Sequence, residues 1–111
     1  MIIAIDFDGT IVEHKFPEEG PMLKNADKVI RELKKAGHTI IIWTCRGGFC
    51  LLRAKYFLEA NKIPYDHLNE NASIEQVGFK PFPKVYADVY IDDKNLGGFP
   101  GWDEVERILC G

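Results

Sequence analysis

The chain opens on a short apolar run, Met1-Ile2-Ile3-Ala4-Ile5, that stops at Asp6-Phe7-Asp8-Gly9-Thr10. No other feature restricts the fold as much. An unbroken Ile/Ala run reads as a parallel strand buried on both faces. Gly9 and Thr10 then turn the chain out of it. Carboxylates at i and i+2 of an extended segment point to the same side. Asp6 and Asp8 are therefore expected together at the carboxyl end of a strand, the edge where open α/β sheets place their ligands. Two like charges so close need a shared proton or a cation. A divalent cation is the simplest relief, and all-oxygen ligation favours Mg²⁺.

The rest of the chain alternates between strand and helix patterns. Glu13 to Gly20 reads as a short polar loop, and Pro21 suits the first turn of a helix. Leu23, Ala26, Val29, Ile30, Leu33 and Ala36 follow at helical spacing, stopped by Gly37. Thr39 to Thr44, around Ile40-Ile41-Ile42-Trp43, reads as a second buried strand, with Trp43 in the core. Arg46-Gly47-Gly48 makes a turn, and a second helix runs from about Phe49 to Ala60. Pro64 to Asn69 is a short third strand. Asn69 to Pro83 is an irregular loop, and Lys84 to Ile91 is a fourth strand ending on Asp92-Asp93. A Gly-rich turn then leads into a helix over Trp102 to Leu109, whose first turn holds Asp103 and Glu104. This order predicts one domain over residues 1–111, an α/β three-layer Rossmann-like fold with a mainly parallel sheet.

Composition narrows the partners. A net charge of −3 gives no support for a nucleic-acid face, which is normally basic. A small phosphorylated ligand needs only a few local cations and is compatible with that balance. Cys45, Cys50 and Cys110 form no C-x-x-C pair, so they read as free thiols of a cytoplasmic protein. No apolar run approaches the ~20 residues of a membrane span. Met1 enters structure almost at once, and an intact small protein without a signal peptide is expected.

Parallel strands put all their carboxyl ends on one edge. Asp6 with Asp8, Thr44 with Arg46, and Asp92 with Asp93 should therefore converge, with Lys84 just before the last strand. Four carboxylates, a hydroxyl and two cations suit metal-assisted phosphoryl transfer. An aspartate in such a site can serve as nucleophile and form an acyl-phosphate. A calcium loop fits poorly, since the fifth and twelfth places of an EF-hand would hold Thr10 and Pro17.

The ordered set DFDGT, IIIWT, a lysine and YIDD resembles the haloacid dehalogenase (HAD) superfamily of phosphohydrolases. The first motif is the most specific, and together the motifs span Asp6 to Asp93. The resemblance implies a Mg²⁺-dependent phosphatase in which Asp6 is the nucleophile. Asp8 would protonate the leaving group and then activate water, its carboxyl staying protonated because only its backbone carbonyl meets the metal. Thr44 would hydrogen-bond the transferred phosphoryl group, and Lys84 would balance its charge and orient Asp6. Mg²⁺ would be bound by Asp6, Asp8 and an acidic-pair carboxylate, Asp93 with Asp92 in support or the reverse. Lys80 competes with Lys84, and Gly9 and Thr10 support the first turn.

Arg46 either reaches the substrate's anionic groups or lies on the surface. His14, His38 and His67 read as structural, and Trp102 as packing. Asn69 and Asn71 follow the third strand, a position that could line the site, but loop placement alone explains them. Neither Glu13–Gly20 nor Asn69–Pro83 has the length of a cap domain, so a capless member is expected. An open site of this kind admits a macromolecular substrate, or a small one once a second copy of the chain covers it. The expected substrate is a small phosphomonoester. Two alternatives remain: a nucleic-acid end phosphatase, and a phosphate-ligand sensor or scaffold without turnover. Retention of both Asp6 and Asp8 weighs against the sensor.

Overall fold

A computed structural model describes residues 1–111. The elements in chain order are β1 (Ile2–Ile5), β2 (Val12–Lys15), β3 (Glu18–Met22), α1 (Ala26–Lys35), β4 (Thr39–Ile42), α2 (Gly48–Ala60), β5 (His67–Leu68), α3 (Ile74–Val77), β6 (Val89–Ile91) and α4 (Trp102–Leu109). The central sheet has the order β5-β4-β1-β6, and every pairing in it is parallel. β1 and β4 are the inner strands, and β1 is paired Ile5↔Ile42 on one side and Ile5↔Ile91 on the other. The chain moves outward from β1 to β4 and β5, then returns to lay β6 on the other side. That reversal opens a crevice at the carboxyl ends of β1 and β6.

The strand alternation divides the core in two. Ile3, Ile5, Ile40 and Ile42 face α1, α2 and α4 in one large cluster. Ile2, Ala4 and Ile41 face the other way, against Ala72, Val85 and Ala87. Helices thus lie on both faces, but unequally. The second face carries only the one-turn α3 and the irregular chain around it. α1 buries Ala26, Val29, Ile30 and Leu33, the stripe that the spacing marks out.

Several local expectations need correction: the third strand, read over Pro64 to Asn69, is only His67–Leu68, and the stretch read as an irregular loop holds the short α3. Glu13 to Gly20 is not a loop: β2 and β3 form an antiparallel hairpin, paired His14↔Glu19 and Lys15↔Glu18. Its strands are polar because most of their residues are exposed, so no apolar alternation marks them. Gly20 lets the strands meet there, since a Cβ would overlap the Glu13 carbonyl. Pro21 consequently lies in β3, and α1 starts later, after Asn25. The fourth strand shrinks to Val89–Ile91, because Val85 and Ala87 pack over the sheet face instead of joining its edge. Trp43 lies beyond the end of β4 and is 37% exposed, so it is not a core residue.

Candidate functional site

The crevice between β1 and β6 collects the acidic residues. Asp6 follows β1, and its N–H donates to the Ile91 carbonyl at 2.9 Å, locking the two strand ends together. Asp92 and Asp93 follow β6. One carboxylate oxygen from each of Asp6, Asp92 and Asp93 lies within 4.8 Å of the others. Asp8, His14, Phe16, Cys45, Arg46 and Lys94 complete the walls of a cleft of about 330 Å³.

Thr10 organises this cluster from behind. It is fully buried, its Oγ1 donates to Asp6 Oδ2 at 3.2 Å, and it accepts the Asp93 N–H at 3.1 Å. Trp102, at the start of α4, donates its indole N–H to the Thr10 carbonyl at 2.8 Å. Gly9 stands against Asp93: a Cβ there would lie 2.7 Å from Asp93 Cγ, and φ is +86°. Only glycine fits both the backbone angle and the approach.

The electrostatics of the triad are unbalanced. The Asp6 carboxyl is pushed up to about 7, first by burial, then by the Asp92 charge and by contact with Asp93, while the Thr10 hydroxyl pulls it down. A cation among the three oxygens would relieve that repulsion. Hard carboxylate oxygens on three sides suit Mg²⁺ or a similar ion.

Asp8 is arranged differently from expectation. Both its oxygens accept from Arg46, Oδ2 from Nε at 2.7 Å and Oδ1 from Nη2 at 2.8 Å. Arg46 thus holds the Asp8 carboxyl in a bidentate fork, a contact that the sequence reading does not foresee. Arg46 is correspondingly only 3% exposed. It is neither a surface residue nor free to meet a substrate anion.

Thr44 is half-buried just past β4, on the same sheet edge as Asp6. Its N–H donates to Asn69 Oδ1 at 2.8 Å, and its Oγ1 accepts the Arg46 N–H at 3.2 Å. Lys84 is placed elsewhere. Its Nζ stands 4.9 Å from the centre of the Tyr90 ring, in a depression with Phe79, Pro81, Phe82, Val85 and Tyr86. The ammonium is attracted to the aromatic face, and it does not line the acidic cleft. Lys80 is exposed and does not line it either. The lysine that does is Lys94, whose Nζ is 4.0 Å from Asp93 Oδ2.

A solved structure of a conserved protein coded by a locus of Bacteroides thetaiotaomicron is similar to this one, with a TM-score of 0.86 and 38% sequence identity over 97% of this chain and 88% of that chain. This chain belongs to the same family as that protein. Protein-family models and curated proteins yield no match.

Three cleft residues of this family member, and the supporting role of Asn69 beside the cleft, escape sequence reasoning. His14 and Phe16 reach the cleft from the hairpin, so His14 is a rim residue and not a structural one. Lys94 follows the acidic pair directly, which is the one sequence signal that marks it. Asn69 holds the Thr44–Arg46 turn from both sides, its Nδ2 donating to the Arg46 carbonyl at 3.2 Å. Its φ of +56° is the backbone mark of that role, and asparagine tolerates it. Asn71, by contrast, accepts the Tyr86 N–H on the other sheet face. The three cysteines form no disulfide, and no helix is long and apolar enough to cross a membrane.

Proposed function

We propose that this protein is a Mg²⁺-dependent phosphomonoesterase of the haloacid dehalogenase type, acting through an aspartyl-phosphate on Asp6. The observation that carries the reading is the convergence of Asp6, Asp92 and Asp93 at the crevice, where burial first and then the neighbouring carboxylates raise the Asp6 carboxyl to about 7. The DFDGT motif that supplies Asp6 supports it.

Asp6, Asp92 and Asp93 would hold the ion, and when bound it supplies a positive charge that ionises Asp6 and balances the phosphoryl oxygens. An Asp6 oxygen attacks phosphorus and forms the acyl-phosphate bond as the ester P–O bond breaks. Asp8 gives a proton to the departing oxygen. In the second half Asp8 takes a proton from water, whose oxygen attacks phosphorus and releases inorganic phosphate and free Asp6. Thr10 aims Asp6 throughout. Lys94 at the cleft rim takes the phosphate-charge role that the motif order gives to Lys84. The substrate class is a small phosphorylated molecule in an open cleft.

The test is phosphate release from a panel of sugar phosphates, nucleotides, phospho-acids and aryl phosphates with Mg²⁺. Asp6→Asn should abolish release, and rapid quenching of wild type should trap one phosphoryl group on Asp6. Full turnover by Asp6→Asn would rule out the covalent route. Tight Mg²⁺-dependent ligand binding without turnover would instead favour a sensor.

A further inference from the structure

The feature left over by that mechanism is the burial of Arg46. Its guanidinium is fully engaged. Nη1 donates to the Pro17 carbonyl at 3.2 Å, the Cys50 carbonyl at 3.1 Å and Glu19 Oε2 at 3.2 Å, while Nη2 also meets the Glu18 carbonyl at 2.9 Å. Two aromatic rings flank it, Phe7 at 5.1 Å and Phe16 at 5.2 Å from ring centre to Cζ. Most of these partners belong to the β2–β3 hairpin: two carbonyls at its turn, one carboxylate and one ring. Glu19 is gripped a second time by Arg53 of α2, at 3.2 Å.

We infer that Arg46 is the positioning residue for Asp8, and that the β2–β3 hairpin controls proton transfer through it. The inference rests on the phosphatase reading above. A bidentate fork fixes the plane of a carboxylate as well as its distance, which a point charge such as lysine does not. Each Asp8 oxygen keeps a lone-pair direction that the guanidinium does not use. The hairpin sets where Arg46 sits, so it sets how Asp8 faces the leaving-group oxygen. The hairpin is thus part of the acid/base device and not merely a rim of the cleft.

A proton donor matters in proportion to how poorly the leaving group departs without one. Phosphoryl transfer should therefore be followed in single-turnover experiments over substituted phenyl phosphates, from the 4-nitrophenyl to the unsubstituted phenyl ester. Wild type, Arg46→Lys, Arg46→Met and Glu19→Gln are compared, with Asp8→Asn as reference. Arg46→Lys should lose about 100-fold on phenyl phosphate and at least tenfold less on the 4-nitrophenyl ester, approaching the Asp8→Asn profile. Glu19→Gln should show the same selectivity in milder form, and it keeps the test open if Arg46→Met fails to fold. Equal losses on all esters, or none, would overturn the positioning role while leaving the phosphatase reading intact. A wild type inactive on every ester and on the wider panel would remove that reading and this inference with it.

Discussion

Gly9 and Asp93 stand so close that a methyl group on Gly9 would occupy the space of the Asp93 carboxylate. The glycine of the first motif thereby sets the position of the acidic pair 84 residues later in the sequence. Its φ of +86° adds a second requirement that L side chains meet poorly. Gly9→Ala is expected to weaken Mg²⁺ binding by about tenfold or more, about 1.4 kcal/mol, and to lower the unfolding midpoint. Calorimetric titration with Mg²⁺ and thermal unfolding of the same sample would check both.

The Asp6 carboxyl is raised to about 7 from its ordinary 3.8, so metal binding at the proposed site should depend on pH. Below about 7 a proton must leave before the ion enters, so Mg²⁺ affinity should climb with pH and level off above it. For the metal-free protein the sign reverses. Between 3.8 and about 7 the folded state binds more protons than the unfolded chain, so this group's contribution to stability falls as pH rises through that window. Asp6→Asn should remove both trends, as read by Mg²⁺ titration and unfolding from pH 4 to 8.

Thr10→Val removes the hydroxyl that pulls Asp6 down and leaves the Asp93 N–H without its partner. The pH at which Mg²⁺ affinity levels off should move upward. The variant should also unfold about 1–3 kcal/mol more easily, the range for a buried donor left unpaired. A titration series at several pH values and denaturant unfolding separate the two effects.

Lys94 and Lys84 offer a direct contrast. Lys94→Ala should lower kcat/KM by about tenfold, below the larger effect of an enclosed donor because its side chain is 82% exposed. Lys84→Ala should change kcat/KM by less than about twofold, since its ammonium rests on Tyr90 away from the acids. Steady-state kinetics on one active ester suffice, and raised salt should blunt only the Lys94 contribution.

The strand ends were legible because strand geometry is local. An apolar run followed by acids puts those acids on the carboxyl edge, and parallel pairing brings the edges together. The helix over Trp102 to Leu109 was legible for a similar reason, having a Gly-rich turn before it and acids in its first turn. What stayed hidden depends on partners distant in sequence. Arg46 meets Asp8 across 38 residues, and nothing beside either residue announces the pairing. The hairpin hid because its strands are polar and exposed. Lys84 misled because position before a strand says nothing about which sheet face its side chain covers. Trp43 misled because the three isoleucines before it are buried and it lies one residue past the strand that buries them.

The indole of Trp102 hydrogen-bonds the carbonyl of the same threonine that bonds Asp6 and Asp93. The protein thus carries a natural fluorophore one residue removed from its charge cluster. Trp43, exposed and outside that network, is the other source of emission. Replacing it by phenylalanine would leave Trp102 as a single optical reporter, able to register cation entry directly in solution and without a label.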